Sequence, residues 1–177
     1  MSNILNDLIS FINDDVPSNS KSIQISNGSY NSVILFKLLD LNTIESIVIG
    51  DNCFENVNEF VLNGLNHLKS IKIGINSFTL LKNSDKWDSN KANNRSRSFS
   101  ILNCIELESI EIGRYSFSDY GGGFELRNLP KLSTIKIGEI GTDSSNFSYS
   151  SFAIRGMIDM ILLMNRSSTF EFHYIRK

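Results

Sequence analysis

FKLLDLNTIESIVIGDNCF, residues 36–54, returns three times along the chain: as FVLNGLNHLKSIKIGINSF at 60–78, as FSILNCIELESIEIGRYSF at 99–117, and as FELRNLPKLSTIKIG at 124–138. A half copy, SIQISNGSY from Ser22, precedes the series, and FAIRGMIDM from Phe152 follows it. The starts at Phe36, Phe60, Phe99, Phe124 and Phe152 are 24, 39, 25 and 28 residues apart, a period near 24 with one long insertion. Each copy holds two alternating stretches, Phe-x-apolar and Ile-x-Ile, and alternation over so few residues predicts short strands with one buried face. Neither stretch can bury that face alone. Stacking successive copies solves the problem, with Ile47 and Ile49 on Ile71 and Ile73, then on Ile110 and Ile112, then on Ile135 and Ile137. The columns Ile44/Leu68/Leu107/Leu132 and Phe54/Phe78/Phe117 complete the expected interior, the phenylalanines closing each coil from within. The last two columns of the repeat are missing from the fourth copy as aligned.

Outward positions test the same stacking. One column runs Glu45, Lys69, Glu108 and another Lys72, Glu111, Lys136. Both alternate in sign, so strands about 4.8 Å apart would set opposite charges side by side, provided that residues 79–98 loop out and leave Ile71 beside Ile110. The glycines Gly50, Gly74, Gly113 and Gly138 mark one corner, expected to need positive φ. The column Asp40, Gly64, Asn103, Asn128, Gly156 marks the other, with residues that tolerate left-handed backbone. The predicted fold is therefore mainly β, a parallel-stranded solenoid of about five coils over residues 17–157.

This Ser-Ile-x-Ile-Gly-x-x-Ser-Phe pattern resembles the leucine-rich repeat superfamily, specifically its BspA-like branch, over residues 22–157. The resemblance implies a leucine-rich-repeat-like solenoid and non-enzymatic binding of proteins or other ligands. The common Leu-x-x-Leu-x-Leu-x-x-Asn spacing is not reproduced, since Asn103 and Asn128 come one residue early after their first strands.

At 177 residues and a formal net charge of −2, the chain is sized for one compact unit and carries no global field to steer nucleic acid or a membrane surface. No apolar run approaches the roughly 20 residues of a membrane span, and residues 1–16 lack the basic start of a secretory signal. An intracellular, cytoplasmic setting is the expectation. Ile4, Leu5, Leu8, Ile9 and Ile12 fall at helical spacing, which predicts a short N-terminal helix over 1–16 covering the first coil. Residues 158–177 read as an irregular cap with a last strand through Phe170, Phe172 and Tyr174. No polar cap follows that strand, and the two expectations are that the array continues in a longer relative or that this end is covered by end-to-end self-association.

The insertion at 79–98 carries five basic and two acidic residues and the only tryptophan. Lys82, Lys86, Trp87, Lys91, Arg95 and Arg97 are the candidate contacts, because insertions into repeats often decorate a binding face. Another protein is the expected partner. Weak nucleic-acid binding through this loop is an alternative, as is a structural or vestigial fragment with no partner. No catalytic, metal or cofactor site is expected: His67 and His173 stand without a nucleophile and an orienting acid, and Cys53 and Cys104 sit on different corners. Gly121–Gly123 lacks the Lys and the following helix of a phosphate loop and reads as a flexible turn.

Overall fold

A computed structural model describes residues 10–82, 89–139, 144–155, 160–164 and 170–174. The strands are β1 (Ser10–Phe11), β2 (Ser22–Ile25), β3 (Leu35–Leu39), β4 (Ser46–Ile49), β5 (Glu59–Asn63) and β6 (Ser70–Ile73). A single helical turn, α1 (Ser89–Ala92), precedes β7 (Ser98–Leu102), β8 (Ser109–Ile112), β9 (Gly123–Arg127), β10 (Thr134–Ile137), β11 (Ser151–Arg155), β12 (Met160–Met164) and β13 (Phe170–Tyr174). They form two sheets. Sheet A has the order β1-β3-β5-β7-β9-β11, all parallel; sheet B has the order β12-β13-β10-β8-β6-β4-β2, parallel from β2 to β10. The result is a β-solenoid of about five turns with almost no helix.

The register follows the repeat. Ile47 pairs with Ile71, Ile71 with Ile110 and Ile110 with Ile135, so the insertion bulges aside and leaves the ladder unbroken. In sheet A, Phe36, Phe60, Phe99 and Phe124 stack face to face with ring centroids 4.8–4.9 Å apart. A second file, Tyr30, Phe54, Phe78, Phe117 and Phe147, stacks at 4.8–5.2 Å and meets the first edge-on. Edge-on and offset ring contacts suit the aromatic quadrupole and add to area burial. At about 1.5–3 kcal/mol per fully buried large side chain, these columns are what the coil has to set against backbone ordering.

The corners hold several departures from expectation. Asp40, Asn103, Asn128 and Gly64 do take positive φ, and the amides of Asn128 and Asn103 form a side-chain ladder down to Asn63. In the glycine column only Gly138 has positive φ. Gly50, Gly74 and Gly113 are required for a different reason: a Cβ at Gly113 would lie 2.6 Å from the Gly74 carbonyl carbon, so each glycine makes room for the rung below. Left-handed backbone falls instead on the buried Phe54, Phe78, Phe117 and Phe147. The fourth copy keeps its last columns after all, delayed until Asn146 and Phe147. Asn146 Nδ2 donates to the carbonyls of Gly113 and Ser116. In the coils before it Ser77 and Ser116 hydroxyls donate to the carbonyls of Gly50 and Gly74.

The ends differ from the sequence expectation too. Ser10–Phe11 is a strand beside β3 and Asn13–Asp15 a single 3-10 turn, so the predicted helix does not extend over 10–16; residues 1–9 lie outside the described residues. Phe11 stacks on Phe36 at 5.0 Å, and that aromatic column outweighs helical spacing for this segment. At the other end the last strand has a partner: β13 pairs antiparallel with both β10 and β12. No helix of the described residues is long and apolar enough to cross a membrane.

Candidate partner-binding surface

The alternating charges are structural. Lys69 lies 2.9 Å from Glu45, Lys21 lies 3.1 Å from the same carboxylate, and Glu111 sits between Lys72 and Lys136 at 3.9 Å from each. The hydrogen bond from Lys69 holds the Glu45 carboxyl below its ordinary range, and the same bond raises Lys69. Exposed pairs of this kind contribute little each, about 0–1 kcal/mol.

The insertion is anchored by a buried polar cluster. Arg97 is 1% exposed, and its Nη1 donates to both oxygens of Asp119 at 2.7 and 2.8 Å. Its Nη2 donates to the Glu55 carbonyl at 2.6 Å and its Nε to Asn58 Oδ1 at 3.2 Å, while the guanidinium lies 5.5 Å from the Tyr120 ring centre. Tyr120 stands three residues after Phe117, as Val57 follows Phe54 and Val33 follows Tyr30. The inserted coil carries its extra residues at this place, and Tyr120 reaches back across it to donate its hydroxyl to the Val57 carbonyl at 2.7 Å. Burial pushes the Tyr120 phenol upward. Arg97 therefore does not belong with the surface cations: it is 1% exposed and each of its three nitrogens already donates to an acceptor inside the protein.

Gly121 and Gly122 belong to the same anchor and are not a free turn. Their N–H groups donate to the carbonyls of Asn94 and Arg97, and a Cβ on Gly122 would fall 2.4 Å from the Arg97 oxygen. The glycines let the coil backbone approach the insertion closely enough to hold it.

The remaining predicted contacts separate. Lys82 is tied to Glu55 at 2.5 Å. Lys86 and Trp87 lie outside the described residues. Lys91 and Arg95 are exposed, and with Leu80, Leu81, Asn90, Asn93, Asn94 and Asp119 they line a surface cavity of about 520 Å³. Leu80 is 56% exposed although its N–H is fixed by Asp119 Oδ2 at 3.2 Å. The groove thus has an apolar wall, a basic wall and a floor whose carboxylate is already neutralised by Arg97. Asp119, Tyr120 and Asn58 carry no motif that marks them in the sequence; the one legible signal is a tyrosine standing in a valine column.

Reactive groups do not converge on this groove. His67 is exposed in a turn of the second coil. Cys53 and Cys104 are free and buried, and burial pushes the Cys104 thiol up to about 11, away from thiolate chemistry at neutral pH. Among the described residues no three His, Cys, Asp or Glu side chains are placed to hold a metal ion. No family model, curated protein or solved structure matches this chain.

Proposed function

We propose that the protein is a non-enzymatic binding module that engages another protein through the insertion groove. The observation that carries this reading is the groove's construction: an exposed Leu80 and two exposed cations, Lys91 and Arg95, beside the buried Arg97–Asp119 pair that ties the insertion to the coil. Its volume of about 520 Å³ falls within the range of pockets that enclose a ligand group. An apolar wall facing a basic wall suits an acidic segment that carries one large apolar side chain. Positive charge of this kind governs association rate and partner choice more than affinity. The resemblance to BspA-like repeats supports the same class of function.

The test keeps Arg97 and Asp119, since deleting all of 82–97 would orphan a buried carboxylate. Leu80→Ser with Lys91→Glu and Arg95→Glu is compared with Lys72→Glu and Lys136→Glu, which alter only the charged face of sheet B. Photo-crosslinked proteins are identified by mass for each. The groove variant is expected to lose its specific partner and the sheet variant to keep it; identical captured sets would end the proposal. Nucleic-acid binding predicts another signature. Two cations on single strands give a slope of about −1.4 in log affinity against log salt, so single-strand binding with that slope, lost in the groove variant, would favour that alternative.

A further inference from the structure

We infer that Asn13 is an edge cap: its side-chain amide takes the place of a neighbouring strand along the end of β3 and withholds that stretch of sheet A from strand addition by another chain. The cap belongs to the first coil and is independent of the insertion groove. Two residues after Phe36, Phe60, Phe99 and Phe124 stand Leu38, Leu62, Ile101 and Leu126, all fully buried. Two residues after Phe11, at the head of the same column, stands Asn13. Apolar packing does not call for an amide there. Hydrogen bonding does.

The ladder between β1 and β3 holds only Ser10 with Leu35 and Phe11 with Phe36, whereas the other pairs of sheet A run over four or five residues. The last residues of β3 therefore reach past β1. On the edge facing β5, the Asp40 N–H donates to the Asn63 carbonyl at 2.9 Å. On the opposite edge, the Leu39 N–H donates to Asn13 Oδ1 at 2.9 Å and the Leu39 carbonyl accepts from Asn13 Nδ2 at 2.6 Å. A neighbouring strand would supply one carbonyl oxygen and one N–H at this place. The asparagine amide supplies both from a single side chain.

The backbone that carries Asn13 is committed elsewhere. Its carbonyl accepts from the Val16 N–H at 3.0 Å, the Ile12 carbonyl accepts from the Asp15 N–H at 3.0 Å, and the Ile12 N–H donates to Asp15 Oδ2 at 2.7 Å. These bonds form the 3-10 turn Asn13–Asp15 and take the chain out of the ladder. The connection from β1 to β2 then needs ten residues, where the next four coils cross between their sheets with six. A turn that uses its own backbone groups has none to offer β3. Leaving the Leu39 peptide groups bare would present a template for pairing with another strand. Asn13 lets the chain leave the sheet early and fills the edge that it leaves.

The experiment is amide hydrogen exchange and sedimentation of the full chain. In the unmodified chain the Leu39 amide should be protected to about the same degree as Asp40, since both are bonded across an edge. In Asn13→Ala the Leu39 amide loses its acceptor and should exchange about tenfold faster, while Asp40, bonded to Asn63, changes less. Comparing these neighbours separates loss of the cap from general destabilisation, which speeds both alike. Sedimentation over a concentration series should show larger particles of Asn13→Ala at concentrations where the unmodified chain forms none. An unprotected Leu39 amide beside a protected Asp40 in the unmodified chain, or an equal rise of the two in Asn13→Ala, would overturn the cap. Sedimentation of Asn13→Ala indistinguishable from the unmodified chain at every concentration would overturn its role against strand addition.

Discussion

Arg97 and Asp119 are taken almost wholly out of water, and such a pair is worth keeping only because each guanidinium nitrogen and both carboxylate oxygens have a partner. Its removal is therefore asymmetric. Arg97→Met leaves a buried carboxylate whose remaining donor is the Leu80 N–H, and should lower unfolding free energy in urea by about 3–5 kcal/mol. Arg97→Met with Asp119→Leu removes both charges and should recover most of that loss, since apolar replacement of a buried pair is often near neutral. Equal losses in the single and double variants would show that packing of the stem, not charge, anchors the insertion. Neither Arg97 nor Asp119 is distinguishable in the sequence from its exposed neighbours, because burial here comes from two coils closing around a segment inserted between them.

Corners, more than strands, set the shape of each element. Gly28 and Gly113 illustrate two separate uses of glycine. Gly28 has φ +73° with open space around the missing side chain, so Gly28→Asn, which tolerates the left-handed region, should change stability by less than about 0.5 kcal/mol. Gly113 has ordinary φ, but a Cβ there would meet backbone atoms of Gly74 and Ile75 at 2.6–2.9 Å. Backbone cannot turn aside as a flexible side chain can, and Gly113→Ala should cost about 1–3 kcal/mol by the same urea titration. A cost below about 0.5 kcal/mol for Gly113→Ala would show that rung spacing does not require glycine there. The recurrence of glycine is plain in the sequence; its cause is visible only once the rungs are stacked.

At the scale of the molecule, stability is a sum over stacked coils, each of which has no core of its own. Position along the stack should then decide what a phenylalanine is worth. Phe60 lies between Phe36 and Phe99 and is fully buried, so Phe60→Ala should cost about 3–5 kcal/mol. Phe152, in the same column on β11, is 40% exposed and should cost well under half as much. Urea unfolding of the two variants reads the difference, and equal losses would show that position along the stack does not set what a phenylalanine contributes.

The sequence by itself determined the coil. A period near 24, the Ile-x-Ile ladder, the left-handed corner of Asp40, Asn103 and Asn128, and the sign alternation of Glu45 with Lys69 all follow from chemistry between neighbouring copies, and such chemistry must repeat in order to stack. Tertiary structure decided what does not repeat. It put Arg97 inside and left Lys91 and Arg95 outside, although all three lie in one basic stretch. It delayed the fourth coil's corner to Asn146 and Phe147, and it paired β13 antiparallel with β10 and β12 in sheet B. A unique contact leaves no period to detect, because its partner is chosen by proximity in the folded stack and not by spacing along the chain.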